Sequence, residues 1–201
     1  VKIMIIKIVC AGENHFSKLY QPDENEYIIG VDGGIKVLRD NNVKIDLAVG
    51  DFDSIDESEV KASQVILLNK IKDQSDLAVA LQAATQIEHQ KIIIYNATGN
   101  RLDHFYSAIL ELVRYIKYNI EIVNLDNKIY VKKGYFEIPK SNYKYVSFFA
   151  FEDTYITLAG FKYPLDNYFL TRSDPLCLSN EIVSNIGRVY SQKPIIVIES
   201  K

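Results

Sequence analysis

Five aspartates in the first half of the chain stand out by their placement. They lie in three short segments, Gly50-Asp51-Phe52-Asp53-Ser54, Lys72-Asp73-Gln74-Ser75-Asp76 and Arg101-Leu102-Asp103-His104. Carboxylates that converge within a few ångströms raise the pKa of at least one of them unless a cation neutralises the site. Mg²⁺ prefers oxygen ligands and commonly bridges carboxylates to substrate phosphates. The pattern therefore predicts a site for magnesium and a nucleotide phosphate.

The elements that position these aspartates alternate between strands and helices. Up to about residue 125, short β-branched runs alternate with helical patterns. This alternation is typical of a mainly parallel sheet with flanking helices. One predicted helix has Ser75 as its N-cap and another follows Asp103, so both present their positive ends to anions. The predicted strands are Ile3–Val9, Tyr27–Val31, Asp46–Val49, Gln64–Leu68, Lys91–Tyr95 and Ile120–Leu125.

The second half has a different pattern. After about residue 126, Tyr, Phe and Ile recur in short runs interrupted by glycine and proline, which is typical of antiparallel β structure. We predict an α/β domain over residues 1–125 followed by an antiparallel β-sandwich domain over residues 126–201.

The composition restricts the classes of function. The 201 residues carry a net charge of -3 with both signs mixed along the chain, so no basic face for nucleic acid is predicted. The apolar opening, Val1–Cys10, contains Lys2 and Lys7 and is too short to cross a bilayer, so we predict a buried strand. Cys10 and Cys177 form no CxxC pair, which argues against a zinc site or a disulfide scaffold. We expect a cytoplasmic protein that binds neither nucleic acid nor membrane.

The segment from Gly50 to Ser54 follows a strand that should be buried. Asp51 and Asp53 are two residues apart, so in an extended segment both point to the same side, as paired metal ligands do. For an isolated Asp-x-Asp, a solvated turn whose side chains bond their own backbone is the commoner explanation. Position at the carboxyl end of a strand favours ligand binding here.

The two later segments each join a strand to a helix. Ser75 and Asp76 are also explained as a cap and a first-turn residue, whereas Lys72 suits a phosphate. In Asn96–His104, Thr98 and Gly99 leave backbone room for phosphate oxygens. There Arg101 offers a fork of donors, and Asp103 could reach a metal or a hydroxyl. The alternative for this segment is a loop with Asp103 as N-cap and His104 on the surface.

A glycine-rich turn, Gly30-Val31-Asp32-Gly33-Gly34, follows the second predicted strand. It matches neither GxGxxG nor GxxxxGK[ST], so it predicts neither a Rossmann dehydrogenase nor a P-loop ATPase. Taken alone, it is explained by ordinary turn chemistry.

Taken together, these motifs resemble the thiamin pyrophosphokinase (thiamin diphosphokinase) family. That family's pattern runs, in order, through an Asp-Gly-Gly turn, a Gly-Asp-Phe-Asp-Ser loop, a Lys-Asp-x-Thr-Asp helix start and a Gly-Gly-Arg-x-Asp-His loop. The second half adds Gly160-Phe161-Lys162-Tyr163-Pro164-Leu165 and Ser179-Asn180-Glu181. Asn100 replaces one family glycine, Ser75 replaces threonine, and the chain has no Trp, on which some members stack thiamin.

The resemblance implies a Mg²⁺-dependent transfer of diphosphate from ATP to the hydroxyl of thiamin, giving thiamin diphosphate and AMP. It implies an ATP- and Mg²⁺-binding domain over residues 1–125 and a thiamin-binding domain over residues 126–201. It also implies a homodimer whose substrate site lies at the subunit interface.

The resemblance also implies a role for each matching residue. Metal ligands are Asp51, Asp53 and Asp76, with Asp73 nearby. Arg101 and Lys72 offset phosphate charge, and Asp103 orients or deprotonates the attacking hydroxyl. The nucleotide contacts are Asp32, Gly33, Lys72, Thr98, Gly99 and Arg101. In the second half, Ser179 and Asn180 contact the thiamin pyrimidine.

Two other classes of function stay open on the residues alone. A Mg²⁺-dependent phosphohydrolase would use the same aspartates to activate water and would release phosphate from ATP without an organic acceptor. A catalytically idle module would bind thiamin or nucleotide without turnover. A purely structural protein gives no reason to gather acids at three successive strand ends.

Overall fold

The computed structural model describes residues 4–52, 60–68 and 74–201, which form two compact units. The first comprises Val1–Glu111 and Lys117–Leu125, and the second comprises Leu112–Ile116 and Asp126–Lys201. Within the described residues, no helix is long and apolar enough to cross a membrane.

Six strands in the described part of the first unit form a parallel sheet. They are β1 (Ile5–Val9), β2 (Glu26–Val31), β3 (Ile45–Gly50), β4 (Ala62–Leu67), β5 (Lys91–Tyr95) and β6 (Ile120–Val123). Their spatial order is β6-β5-β1-β2-β3-β4, and every pairing is parallel. The order reverses between β1 and β5, which makes that position the topological switch point of the sheet. The predicted parallel sheet is confirmed.

Four helices accompany this sheet in the described residues: α1 (Phe16–Leu19), α2 (Gly33–Asp40), α3 (Asp76–Ala84) and α4 (Leu102–Arg114). The Ser75 hydroxyl accepts the N–H of Ala78 at 3.2 Å, so Ser75 is the N-cap of α3 as predicted. Since α4 begins at Leu102, Asp103 lies in its first turn and is not its N-cap. The apolar core includes fully buried Ile8 from β1 and Leu38 from α2.

The second unit is antiparallel, as predicted. Its strands are β7 (Asn127–Pro139), β8 (Tyr145–Ala150), β9 (Thr154–Ala159), β10 (Leu165–Leu170) and β11 (Ile186–Ser200). The first part of β11 pairs with β9 and its last part pairs with β8, and an irregularity between Ser191 and Ile195 separates the two parts. Phe148 from β8 and Leu158 from β9 share one buried core, as side chains of two sandwiched sheets do.

Gly34 lets α2 lie directly against β1. A Cβ added at Gly34 would stand 1.9 Å from the carbonyl oxygen of Val9, whereas one at Gly33 would stand 3.0 Å from the Cβ of Ala11. We therefore expect Gly34→Ala to lower the free energy of unfolding by about 1–3 kcal/mol through overpacking. Gly33→Ala is the matched control and should cost less, since Ala favours helix over Gly. Denaturant titration of both variants checks this, and equal losses would contradict it.

Candidate functional site

A cleft of about 1150 Å³ opens in the first unit at the carboxyl ends of β1, β2 and β5. Open α/β sheets bind ligands at such switch points. Predicted site residues in its lining are Asp32, Asp76, Thr98, Gly99, Arg101 and Asp103; the lining also includes Cys10, Gly12, Glu13, Asn96, His104 and Asn124. The structure thus brings together residues from segments far apart in sequence.

Backbone contacts hold the loop after β1 against the loop after β5. The N–H of Gly12 donates to the carbonyl of Asn96 at 2.8 Å, and the N–H of Glu13 donates to that of Thr98 at 2.7 Å. A Cβ at Gly12 would lie 2.3 Å from both carbonyl oxygens, so glycine is required at this position. These contacts fix the backbone of Thr98 and Gly99, which the sequence predicts to surround phosphate oxygens.

Asn96 begins the loop after β5 in a left-handed conformation, with φ of 57°. Its side chain is buried, and its Oδ1 accepts the N–H of His15 at 3.1 Å. Further along the loop, the Thr98 hydroxyl accepts a hydrogen bond from Nδ2 of Asn124 at 3.2 Å. Side chains thus reinforce the placement of this loop from two directions.

The ends of β2 and β3 approach each other closely. Asp32 has φ of 47° and donates its N–H to the carbonyl of Val49 at 2.9 Å. A Cβ at Gly50 would stand 2.3 Å from Oδ1 of Asp32, so a larger residue at this position would displace the carboxylate. Asp51 follows Gly50 directly at the carboxyl end of β3. Asp51 and Gly33 are not among the residues that line the cleft.

Of the three metal ligands predicted from the sequence, the structure describes Asp51 and Asp76. Asp76 lies in the first turn of α3 and lines the cleft. Asp53, Lys72 and Asp73 lie outside the described residues. Within residues 4–52, 60–68 and 74–201, no three Asp, Glu, His or Cys side chains lie close enough to hold a metal ion. The oxygen donors of Asp51 and Asp76 nevertheless have the chemistry that Mg²⁺ prefers.

Arg101 and Asp103 form a bidentate ion pair on the cleft wall. Nε of Arg101 donates to Oδ1 of Asp103 at 3.0 Å, and Nη2 donates to Oδ2 at 2.7 Å. These bonds, together with the N–H of His104, hold the pKa of the Asp103 carboxyl well below its usual range. Asp103 is therefore an anion, and each of its two oxygens accepts a hydrogen bond from Arg101.

Cys10 forms part of the cleft lining, but its thiol is a poor nucleophile. Burial, with a smaller contribution from the charge of Asp32, raises the pKa of the Cys10 thiol to about 12. The group stays a neutral thiol near pH 7, and the thiolate is the nucleophilic form.

Ser179 and Asn180 lie in the second unit, between β10 and β11. Asn180 is buried, and its side chain pairs with the backbone of Tyr163: Oδ1 accepts the Tyr163 N–H at 3.0 Å and Nδ2 donates to its carbonyl at 2.8 Å. Oδ1 also accepts the N–H of Glu181 at 2.9 Å. Ser179 is exposed, has φ of 55° and donates its N–H to the Ser147 hydroxyl at 2.9 Å.

Sequence reasoning missed the contribution of the β1 loop. Cys10, Gly12 and Glu13 line the cleft although they match no motif. The available signal was the run of small residues after a buried strand, since glycine there often marks a close backbone approach. Asn124, which follows β6, offered no comparable signal.

The Asn180 side chain predicts a stability effect. We expect Asn180→Ala to lower the free energy of unfolding by about 1–3 kcal/mol, because the buried amide of Asn180 is lost and the backbone N–H and carbonyl of Tyr163 lose their partner. Ser179→Ala is the neighbouring control: it removes an exposed hydroxyl and should change stability by less than about 0.5 kcal/mol. Thermal and chemical unfolding of both variants checks the difference. A stability loss confined to Ser179→Ala would contradict this expectation.

Comparisons with known proteins agree with the motifs. A family model described as "Thiamin pyrophosphokinase, catalytic domain" matches residues 20–124, and one described as "Thiamin pyrophosphokinase, vitamin B1 binding domain" matches residues 135–196. Thiamine pyrophosphokinase of Bacillus subtilis (strain 168) is 37% identical over 187 residues, which cover 88% of this chain and 87% of that protein.

Solved structures agree as well. The crystal structure of Bacillus subtilis thiamine pyrophosphokinase superposes with a TM-score of 0.87 and 33% identity, covering 98% of this chain and 99% of the other. The thiamin pyrophosphokinase of Geobacillus thermodenitrificans gives a TM-score of 0.88 and 30% identity, with 98% of each chain covered. The chain therefore belongs to the thiamin pyrophosphokinase family.

Proposed function

We propose that the chain transfers a diphosphate group from ATP to the hydroxyl of thiamin, giving thiamin diphosphate and AMP, and that the cleft of the first unit binds the ATP. The observation that carries the assignment is the cleft itself: the phosphate-loop residues Thr98 and Gly99 and the charged pair Arg101 and Asp103 line one cavity at the switch point of the sheet. Family membership supplies the reaction class.

The reaction needs positioning and charge stabilisation more than covalent help. The hydroxyl oxygen of thiamin attacks the β-phosphorus of ATP and forms the new P–O bond. The bond from that phosphorus to the oxygen bridging the α-phosphate breaks, and AMP leaves with the electron pair. The hydroxyl proton passes to Asp103 and then to water. Arg101 and Lys72 offset the negative charge on the moving diphosphate.

Magnesium is the implied cofactor. Asp51, Asp53 and Asp76 would hold Mg²⁺, with Asp73 nearby, and the ion supplies neutralisation and orientation of the nucleotide phosphates. The support is the donor chemistry of Asp51 and Asp76, together with the acidic lining of the cleft.

The nucleotide would lie along the loops that the backbone contacts hold in place. Thr98 and Gly99 offer main-chain room for phosphate oxygens beside Arg101. At the end of β2, Asp32 and Gly33 would add further nucleotide contacts, and of these two Asp32 lines the cleft.

Residues 1–125 would form the nucleotide domain, and residues 126–201 would bind thiamin through Ser179 and Asn180. A homodimer with its substrate site at the subunit interface fits the exposed apolar side chains of the second unit, among them Leu176, Leu178 and Val183, which are 55–60% exposed. ATP as substrate favours residence in the cytoplasm.

The reaction predicts a specific product pattern. Purified protein incubated with Mg-ATP should form AMP only when thiamin is present, in step with thiamin diphosphate. Chromatographic quantification of AMP, ADP and thiamin diphosphate measures this directly. Thiamin-independent ADP or phosphate would instead identify a phosphohydrolase, and binding of both ligands without turnover would identify an idle module.

The metal assignment predicts a loss of turnover at Asp76. Asp76→Asn keeps the shape of the side chain but removes its charge, and we expect kcat to fall by roughly 100-fold or more, because charge stabilisation dominates this chemistry. Asp40→Asn, an exposed acid at the end of α2, is the matched control and should keep the normal rate. Rates measured across a Mg²⁺ titration, and after chelation by EDTA, check both expectations. An unchanged rate and Mg²⁺ dependence in Asp76→Asn would remove Asp76 from the metal set.

A further inference from the structure

Arg101 and Asp103 are each other's hydrogen-bond partners in this structure. The two bonds at 3.0 and 2.7 Å use the Nε and Nη2 edge of the guanidinium and both oxygens of the carboxylate. The proposed function gives the same two groups other partners, a phosphate for Arg101 and the thiamin hydroxyl for Asp103. The Nε and Nη2 edge of the guanidinium faces Asp103, so a phosphate can bind that edge only when the pair opens.

The pair is suited to opening. Both side chains are about two-thirds exposed, at 69% and 66%, and ion pairs exposed to this extent contribute little to stability. A nucleotide phosphate carries more charge and also accepts the guanidinium fork bidentately. It is therefore a stronger partner for Arg101 than one exposed carboxylate.

The cleft gives an incoming phosphate few cationic alternatives. Among its described lining residues, Arg101 is the one Lys or Arg, while the acids are Glu13, Asp32, Asp76 and Asp103, and His104 adds a titratable ring. A polyphosphate entering this lining is thus drawn to Arg101, and Arg101 reaches it by leaving Asp103.

We propose that nucleotide binding exchanges the partner of Arg101: the polyphosphate takes the guanidinium from Asp103, and the released carboxylate becomes the acceptor for the thiamin hydroxyl. This inference rests on the proposed function. Before the nucleotide binds, Asp103 competes with it for Arg101. After the nucleotide has bound, Asp103 accepts the proton of the thiamin hydroxyl. Hydroxyl activation is thereby coupled to the presence of the phosphate donor.

The effect of Arg101 on the pKa of Asp103 agrees with this sequence of events, in which Arg101 leaves before Asp103 accepts a proton. While Arg101 donates both bonds, the pKa of Asp103 stays well below its usual range, so the carboxylate accepts a proton poorly. Loss of the guanidinium removes the largest cause of that depression. Asp103 therefore becomes a better base when Arg101 has moved to the phosphate.

The test measures nucleotide affinity without turnover. Isothermal titration of the full chain with a non-hydrolysable ATP analogue and Mg²⁺ gives Kd for wild type, Asp103→Asn, Arg101→Gln and the double variant. We expect Asp103→Asn to tighten binding about two- to fivefold, the range that release of one exposed ion pair allows. Arg101→Gln should weaken binding about tenfold or more. In the Arg101→Gln background, Asp103→Asn should tighten binding no more than removal of another acid from the same lining does.

A charge control separates this exchange from general repulsion between carboxylates and phosphates. Glu13→Gln removes another acid from the same lining, one whose carboxylate lies 3.5 Å from Nε2 of His15 and not beside Arg101. It should tighten binding less than Asp103→Asn does, and to the same extent with or without Arg101. Equal tightening by both single variants, tightening by Asp103→Asn that is undiminished in the absence of Arg101, or no tightening at all would overturn the exchange.

A different result would refute the proposed diphosphate transfer. Wild-type protein that binds the analogue but forms no thiamin-dependent AMP from ATP would refute the diphosphate transfer, whatever the variants show. Thiamin-dependent AMP with no gain in affinity in Asp103→Asn would refute the exchange alone.

Discussion

Direct backbone contact around the end of β1 is the constraint on which the cleft depends. On one side α2 touches this strand through Gly34, and on the other the loop after β5 is bonded to Gly12 and Glu13. Because these contacts join backbone to backbone, the loops after β1 and β5 have little freedom to shift. The parallel sheet supplies the common edge, and the glycines let that edge close into a site of fixed shape.

The described lining of the cleft carries more negative than positive charge. Acids outnumber permanently charged bases in its described lining, where Arg101 stands among four carboxylates. Such a surface repels a bare nucleotide and accepts one accompanied by a divalent cation. Selectivity for the metal complex can thus arise from an excess of negative charge.

Much of this architecture could be predicted from the sequence. The period of β-branched runs identified the parallel strands, and Ser75 identified the start of α3, because both signals are local. What escaped prediction depends on contacts between distant segments. Gly12 bonds to a loop more than eighty residues away, and the Asn180 side chain bonds to the backbone of Tyr163, so no local pattern could reveal either role. Asp103 lies two positions after the N-cap position of α4, which is within the usual uncertainty of helix ends.

The two-part pairing of β11 has a consequence for synthesis of the chain. Its first part completes the sheet with β9, and its last part completes the sheet with β8. The layer with β9 cannot close until Ser191 has left the ribosome, and the layer with β8 needs residues as far as Ser200, whereas the described strands of the first unit end at Val123. The nascent protein therefore passes through a stage in which the first unit can be folded while β7 to β10 still lack their central strand. Chaperone dependence during translation should concentrate in that interval.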